Sequence, residues 1–136
     1  MKSFIVCFLF LLLAGCCKVY CDGTELTVSF EKFKARETDT VLFVSYVPNT
    51  GHTQVVNSFR IAAPVSPSDT SRSAVVQSLS SSYDWQVTLP SANKQFLLEN
   101  FELTTEKCNC GGKKYKAIRS FAVNGSRKEG LFIALE

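Results

Sequence analysis

The sequence predicts an all-β fold, a single β-sandwich of about seven to eight antiparallel strands behind an N-terminal signal peptide. Three observations predict it. Apolar and polar residues alternate with a period of two along most of the chain, which is typical of strands with one wet face. Turn-forming Pro, Gly, Asn and Ser residues separate these segments, and no segment has a convincing helical period.

The alternation is clearest in two segments. Residues 24–30 place Leu26, Val28 and Phe30 on one side of a strand and polar residues on the other. Residues 83–89 alternate Tyr, Trp, Val and Leu with Asp, Gln and Thr, and we expect the single tryptophan, Trp85, in the core.

The middle of the chain predicts a hairpin, a loop and a short strand. Residues 40–47 are apolar on both sides, as expected for a central strand of a packed sheet, and turn residues 48–51 lead to a hairpin partner at 53–63. Residues 64–73 contain two prolines and no apolar period, which indicates a surface loop. Residues 74–79 fit a short edge strand.

The C-terminal half contains one ambiguous segment. Residues 93–107 fit both helical and strand spacing, and we favour a strand because LPSAN before them reads as a hairpin connection and Thr-rich sequence flanks them. CNCGG is then a loop. Residues 114–123 and 130–135 are predicted to form a last hairpin joined by NGSRKE.

The resulting sandwich has immunoglobulin-like or fibronectin-type proportions. The Cys-Trp-Cys spacing of antibody domains is absent, because no cysteine lies between Cys21 and Trp85. Residues 83–103, YDWQVTLPSANKQFLLENFEL, resemble part of a CUB module in their Trp-x-Val, Pro and Leu-x-x-Phe-x-Leu rhythm. The paired cysteines and acidic calcium ligands of that family have no counterpart here, so no function is transferred from it.

The N-terminus has the order of a signal peptide. Lys2 precedes an apolar run over residues 4–14 and a short segment of small and polar residues. The run is shorter than the roughly 20 residues that span a membrane. A cut after Cys21 is favoured, which gives a signal peptide over 1–21 and a sandwich domain over 22–136, and a cut after Cys16 also satisfies the small-residue rule.

A bacterial lipoprotein is the alternative interpretation. Leu13-Ala14-Gly15-Cys16 resembles a lipobox, in which Cys16 would be acylated and would anchor the protein to a membrane. Ordinary secretion is favoured because only Lys2 precedes the apolar run and because Cys17–Cys21 replaces the usual polar tether.

The position of the cut decides the cysteine count. A cut after Cys21 leaves Cys108 and Cys110 as the disulfide candidates, although a ring between cysteines so close together is strained. A cut after Cys16 leaves four cysteines and suggests two bridges between the N-terminus and the CNCGG loop. Removal of residues 1–21 takes away two lysines and lowers the formal charge from +3 to +1, which does not favour nucleic-acid binding.

A basic strip distinguishes the C-terminal third. Between residues 107 and 128 the chain has seven cations and no acid. They are Lys107, Lys113, Lys114, Lys116, Arg119, Arg127 and Lys128. An anionic glycan, an acidic protein or a lipid surface could bind such a strip. Strand alternation separates Lys114 and Lys116 from Lys113 and Arg119, so solvated strand edges that discourage aggregation are the simpler interpretation.

Catalysis and metal binding are not predicted. The single histidine, His52, lies in a turn and is expected to be solvated, and with Cys108 and Cys110 it lacks the spacing of a zinc site. Glutamates such as Glu25, Glu31, Glu99 and Glu102 fall at alternating strand positions or in turns, and no nucleophile, phosphate-loop or metalloprotease motif is present. We therefore expect neither an enzyme nor a cofactor.

The most favoured function is a secreted, non-enzymatic binding module. A sandwich presents loops at both ends of a rigid scaffold, and the loops at 48–53, 64–73, 107–113 and 124–130 are the expected recognition surface. Asn124 begins an Asn-Gly-Ser glycosylation sequon in one of these loops, where Asn-Gly is also ordinary turn chemistry.

Overall fold

The computed structural model describes residues 21–108 and 112–136, so the predicted leader lies outside the described residues except for Cys21. Nine strands are present in the described part of the chain. They are β1 (Glu25–Ser29), β2 (Thr40–Tyr46), β3 (Val55–Ala62), β4 (Val76–Ser80), β5 (Asp84–Leu89), β6 (Lys94–Lys107), β7 (Lys114–Val123), β8 (Ser126–Glu129) and β9 (Phe132–Ala134). Single-turn 3-10 helices lie at Ala35–Glu37 and Pro90–Ala92.

The strands form two sheets, which confirms the β-sandwich. One sheet has three strands in the order β4-β1-β9, and the other has six in the order β3-β2-β5-β6-β7-β8. All pairs are antiparallel except β1 with β9, which run parallel. The ambiguous segment at 93–107 is strand β6, as favoured from the sequence.

The core lies between the sheets and is built from the alternating apolar residues. Leu26 and Val28 of β1 are fully buried, as are Phe43 of β2 and Val87 of β5. Trp85 is 8% exposed, and its indole N–H donates to the Ser80 carbonyl oxygen at 2.9 Å. The predicted burial of the tryptophan is confirmed, and its one polar atom has a partner.

The predicted last hairpin is wrong. A two-residue turn at Asn124 and Gly125 returns the chain at once into β8, which pairs with β7, because both turn residues adopt the positive φ that such turns require. The chain then bends at Gly130, where φ is 103°, and β9 pairs with β1 of the other sheet. The last strand therefore extends the three-stranded sheet instead of pairing with β7.

Two expectations about the outer face of the six-stranded sheet are also corrected. Strand β2 is central in its sheet, but only one of its faces is covered, and Leu42 is 36% exposed. Asp84 was expected on the wet side of β5, yet it is buried because the β2–β3 turn folds over it, and its Oδ2 accepts from the Asn49 N–H at 3.1 Å.

Candidate site at the end of the β6–β7 hairpin

Strands β6 and β7 form a hairpin with a distal part beyond the main sheet, over residues 103–108 and 113–118. In this distal hairpin Lys107 lies directly opposite Lys114, and Thr105 lies opposite Lys116. Directly opposed residues, and residues two apart on a strand, share one face. Lys107, Lys114 and Lys116 therefore form one exposed cluster, which we call the lysine face.

Within residues 21–108 and 112–136, no acidic side chain forms a salt bridge with the lysine face. Glu106 alternates to the opposite face of the hairpin, where its Oε2 accepts a hydrogen bond from the Tyr115 hydroxyl at 3.1 Å. That hydrogen bond raises the pKa of Tyr115 above its ordinary value. Neither salt bridge in the described part of the chain involves the three lysines. Like charges directly opposite one another are destabilising, so this arrangement opposes folding of the hairpin.

A disulfide bond fixes the distal hairpin to the N-terminal segment. Cys21 is bonded to Cys108, with their Cα atoms 5.8 Å apart, so Cys108 is not available to pair with Cys110, which lies outside the described residues. The Cys108 N–H donates to the Lys113 carbonyl oxygen at 2.8 Å and closes the hairpin loop. The disulfide bond and this hydrogen bond therefore both hold Cys108, the residue that follows Lys107.

Backbone contacts extend this attachment toward the core. Gly23 forms a parallel bridge with Ala117, and the Ile118 N–H donates to the Gly23 carbonyl oxygen at 2.7 Å. A Cβ at residue 23 would lie only 2.7 Å from the Ala117 Cβ, so the close approach of the two backbones requires glycine there. Ile118 is buried in the main core.

Arg127 and Lys128 of the basic strip lie on β8, opposite residues 120–123 of β7 and away from the lysine face. Arg127 Nη2 lies 3.2 Å from Glu102 Oε2, which also accepts from the Ser120 hydroxyl at 2.8 Å. The Ser120 hydrogen bond, and next the charge of Arg127, lower the pKa of Glu102 below its ordinary value. Lys128 lies opposite the buried Phe121, on the other face of β8 from Arg127.

The four predicted recognition loops do not converge on one surface. Because β2 and β6 run in the same direction, the loops at 48–53 and 107–113 follow the same end of the six-stranded sheet. The loop at 64–73 follows β3 at the opposite end, where Ser71 O accepts from the Ala35 N–H. The β7–β8 turn is hydrogen-bonded to β6, where the Asn124 N–H donates to the Leu97 carbonyl oxygen at 2.9 Å.

The sequence predicts a solvated His52, and this prediction is wrong because the side chain is largely buried. Its side chain is 14% exposed, its ring makes an edge contact with Tyr46, and its Nδ1 lies 4.0 Å from Glu99 Oε2. It does not contact Cys108. In the described residues the His52 Nε2 atom has no hydrogen-bond partner, so no Ser, Thr or Cys side chain is paired with it as a nucleophile would be.

Other features of the described residues suggest no second site. The open depression of about 400 Å³ along β2 and β3 is lined by side chains that include Leu42, Val44 and Arg60. In residues 21–108 and 112–136, no three His, Cys, Asp or Glu side chains are grouped so that they could hold a metal ion. The same residues include no helix of the length and apolarity that a membrane crossing requires.

Comparisons with known proteins assign no function to this chain, so the proposed function rests on the geometry of the described residues. No family model, curated protein or solved structure matches this chain. The lysine face could not be predicted from the sequence, because Lys107 and Lys114 become neighbours only through the register of β6 and β7. The signal that could have pointed to it is the presence of lysines on both sides of the CNCGG segment.

Proposed function

We propose that this protein is a secreted, non-enzymatic binding module that recognises its partner with the distal hairpin. One observation carries the proposal: three lysines, which have no acidic partner in the described part of the chain, occupy one face of a hairpin that a disulfide fixes in place. Holding like charges together costs folding free energy, so a partner that supplies negative charge gains from relieving the repulsion.

The disulfide bond supports export. Disulfides persist in oxidising compartments and are rare in the cytosol, and the N-terminal sequence has the order of a signal peptide. The two features come from separate parts of the chain and agree.

The same bond bears on the cleavage site. A cut after Cys21 would remove one half of the disulfide and leave Cys108 without this partner. We therefore place the cut upstream of Cys21, which favours the site after Cys16 over the site after Cys21. The intact mass of the secreted protein, before and after reduction, tests this placement: a mature chain that starts at Asp22 would contradict it.

Glycosylation of Asn124 follows from export through a eukaryotic pathway. Asn124 is exposed, and its Oδ1 accepts from the Leu97 N–H at 2.8 Å. Its side-chain nitrogen, Nδ2, makes no hydrogen bond within residues 21–108 and 112–136. That nitrogen is the atom that carries an N-linked glycan. A mass shift on enzymatic deglycosylation, lost in Ser126→Ala, is the expected result.

A lipoprotein is the second candidate. A cut before Cys16 also retains Cys21, so the disulfide is as compatible with an acylated Cys16 as with free secretion. The mass of the mature N-terminus separates the two, because acyl chains add several hundred daltons and prevent release into the medium.

The binding proposal is tested on cell surfaces. The full chain is expressed with its own leader in a eukaryotic secretory line, purified from the medium, labelled and added to cells. We expect saturable surface binding that falls when Lys107, Lys114 and Lys116 are all changed to Gln. Retention of the protein inside the producing cells, or binding that the triple variant retains in full, would contradict the proposal.

A further inference from the structure

We propose that the lysine face binds a sulfated polysaccharide, an inference that rests on the proposed binding function and names its ligand. Lys107, Lys114 and Lys116 would contact sulfate groups along one short stretch of the chain. The partner is identified by chemistry: a flexible, hydrophilic polymer with several closely spaced, permanently charged anions.

The spacing of the lysines matches such a polymer. Directly opposed residues on paired strands have Cβ atoms about 5 Å apart, and residues two apart on a strand lie about 7 Å apart. The three ammonium groups therefore fall within the reach of a few sugar residues, and each long lysine stem can adjust to the position of a sulfate.

The fixed position of the hairpin favours binding. The Cys21–Cys108 bond and the Gly23–Ala117 contact order the backbone that carries the lysines before any ligand arrives. Less conformational entropy is then lost on binding. Reduction of the disulfide should accordingly weaken binding without changing the charge of any lysine.

The composition of the face favours a polysaccharide over a lipid surface. Amphipathic segments that lie in a membrane interface carry large apolar residues beside their lysines, and these apolar residues enter the acyl region. On this face Thr105 lies opposite Lys116, and the exposed apolar residue, Leu103, lies at the base of the hairpin opposite Ile118. A polar ligand fits these neighbours.

The test measures binding of a heparin oligosaccharide by calorimetry at about 0.1 M salt, where surface charges still act over roughly 10 Å. The test variant is Lys107→Gln, Lys114→Gln and Lys116→Gln together. The control variant, Lys32→Gln, Arg60→Gln and Lys94→Gln, removes the same charge from exposed residues near the opposite end of the six-stranded sheet.

We expect a Kd roughly tenfold weaker for the test variant and nearly unchanged for the control, because three exposed contacts together give about one decade. The wild-type protein should bind desulfated heparin no more tightly than the test variant binds heparin. Equal losses in the two variants, equal binding of desulfated heparin, or tighter binding to phosphatidylserine vesicles would overturn the proposal. A cooperative thermal unfolding transition in each variant confirms that both are folded.

Cell binding separates this proposal from the general one. Enzymatic removal of heparan sulfate should abolish surface binding if the ligand is a sulfated polysaccharide. Binding that persists in full after removal, but still depends on the lysines, overturns the ligand and leaves the binding module intact. No surface binding before enzyme treatment contradicts the binding module itself.

Discussion

The body of the sandwich and the distal hairpin are stabilised in different ways. In the body, β1 of the small sheet packs its buried face against Phe43, Val87 and their neighbours. In the distal hairpin both faces are largely polar from Thr104 onward, and the attachments that the structure provides are one disulfide and the Gly23 backbone contact.

This difference shows how a polar hairpin can be held in place without a core of its own. Burial of apolar area stabilises the body but would cover the lysines if it continued along the hairpin. A covalent bond and a close backbone contact orient the hairpin and leave its lysine face open to solvent. The predictions below each perturb one side of this contrast.

The largest effect is expected in the body. Phe43→Ala removes a fully buried ring that stacks on Phe59 with centroids 4.8 Å apart, and we expect a loss of about 3–5 kcal/mol in the free energy of unfolding. Urea denaturation measures it. A loss below about 1 kcal/mol would mean that the body does not depend on this core.

Removal of the disulfide tests the hairpin. Cys21→Ser with Cys108→Ser opens a loop between residues 87 apart in sequence, and we expect a loss of about 2–4 kcal/mol because the unfolded chain gains freedom. Hydrogen exchange should accelerate more in residues 103–107 and 114–118 than in β2 and β5. Uniform acceleration would contradict a separately anchored hairpin, and reduced wild-type protein should reproduce the variant.

The glycine contact is the next test. Gly23→Ala places a methyl group 2.7 Å from the Ala117 Cβ, and the overpacking should cost about 1–3 kcal/mol. Ala117→Gly in the same chain removes the opposing methyl group and should restore part of that loss. A double-mutant cycle without coupling would show that the two backbones are not in contact.

A stabilising substitution probes the lysine face. Lys107→Gln removes one member of a directly opposed like-charge pair, so the free energy of unfolding should rise by about 0.2–0.5 kcal/mol at low salt. The gain should disappear at high salt because ions screen the repulsion. Lys94→Gln, at the other end of β6, serves as control and should show no such gain.

The smallest effect is a titration. The hydrogen bond from Ser120 and the charge of Arg127 hold the pKa of Glu102 below its ordinary 4.5. A lowered carboxyl pKa stabilises the fold above pH 4.5, and that contribution disappears as the pH falls through the folded value. NMR titration should show the pKa of Glu102 moving up toward 4.5 in Ser120→Ala. An unchanged pKa would contradict the hydrogen bond.

Much of the fold was predictable because strand alternation is local. The burial of Leu26, Val28 and Trp85, the hairpin of β2 with β3, and the short edge strand β4 all follow from residues a few positions apart. The course of β8 and β9 was not predictable in the same way. It depends on where a two-residue turn closes and on which open sheet edge the last strand reaches.

The candidate site shows the same division. Sequence alone indicates that the chain forms strands with one apolar face, that a cation-rich segment surrounds CNCGG, and that cysteines lie at the start of the domain and within CNCGG. The tertiary structure decided that Lys107 faces Lys114, that Glu106 faces away from both, and that Cys21 meets Cys108. Pattern along a strand is set by neighbouring residues, whereas register and long-range pairing depend on how the sheets fit together.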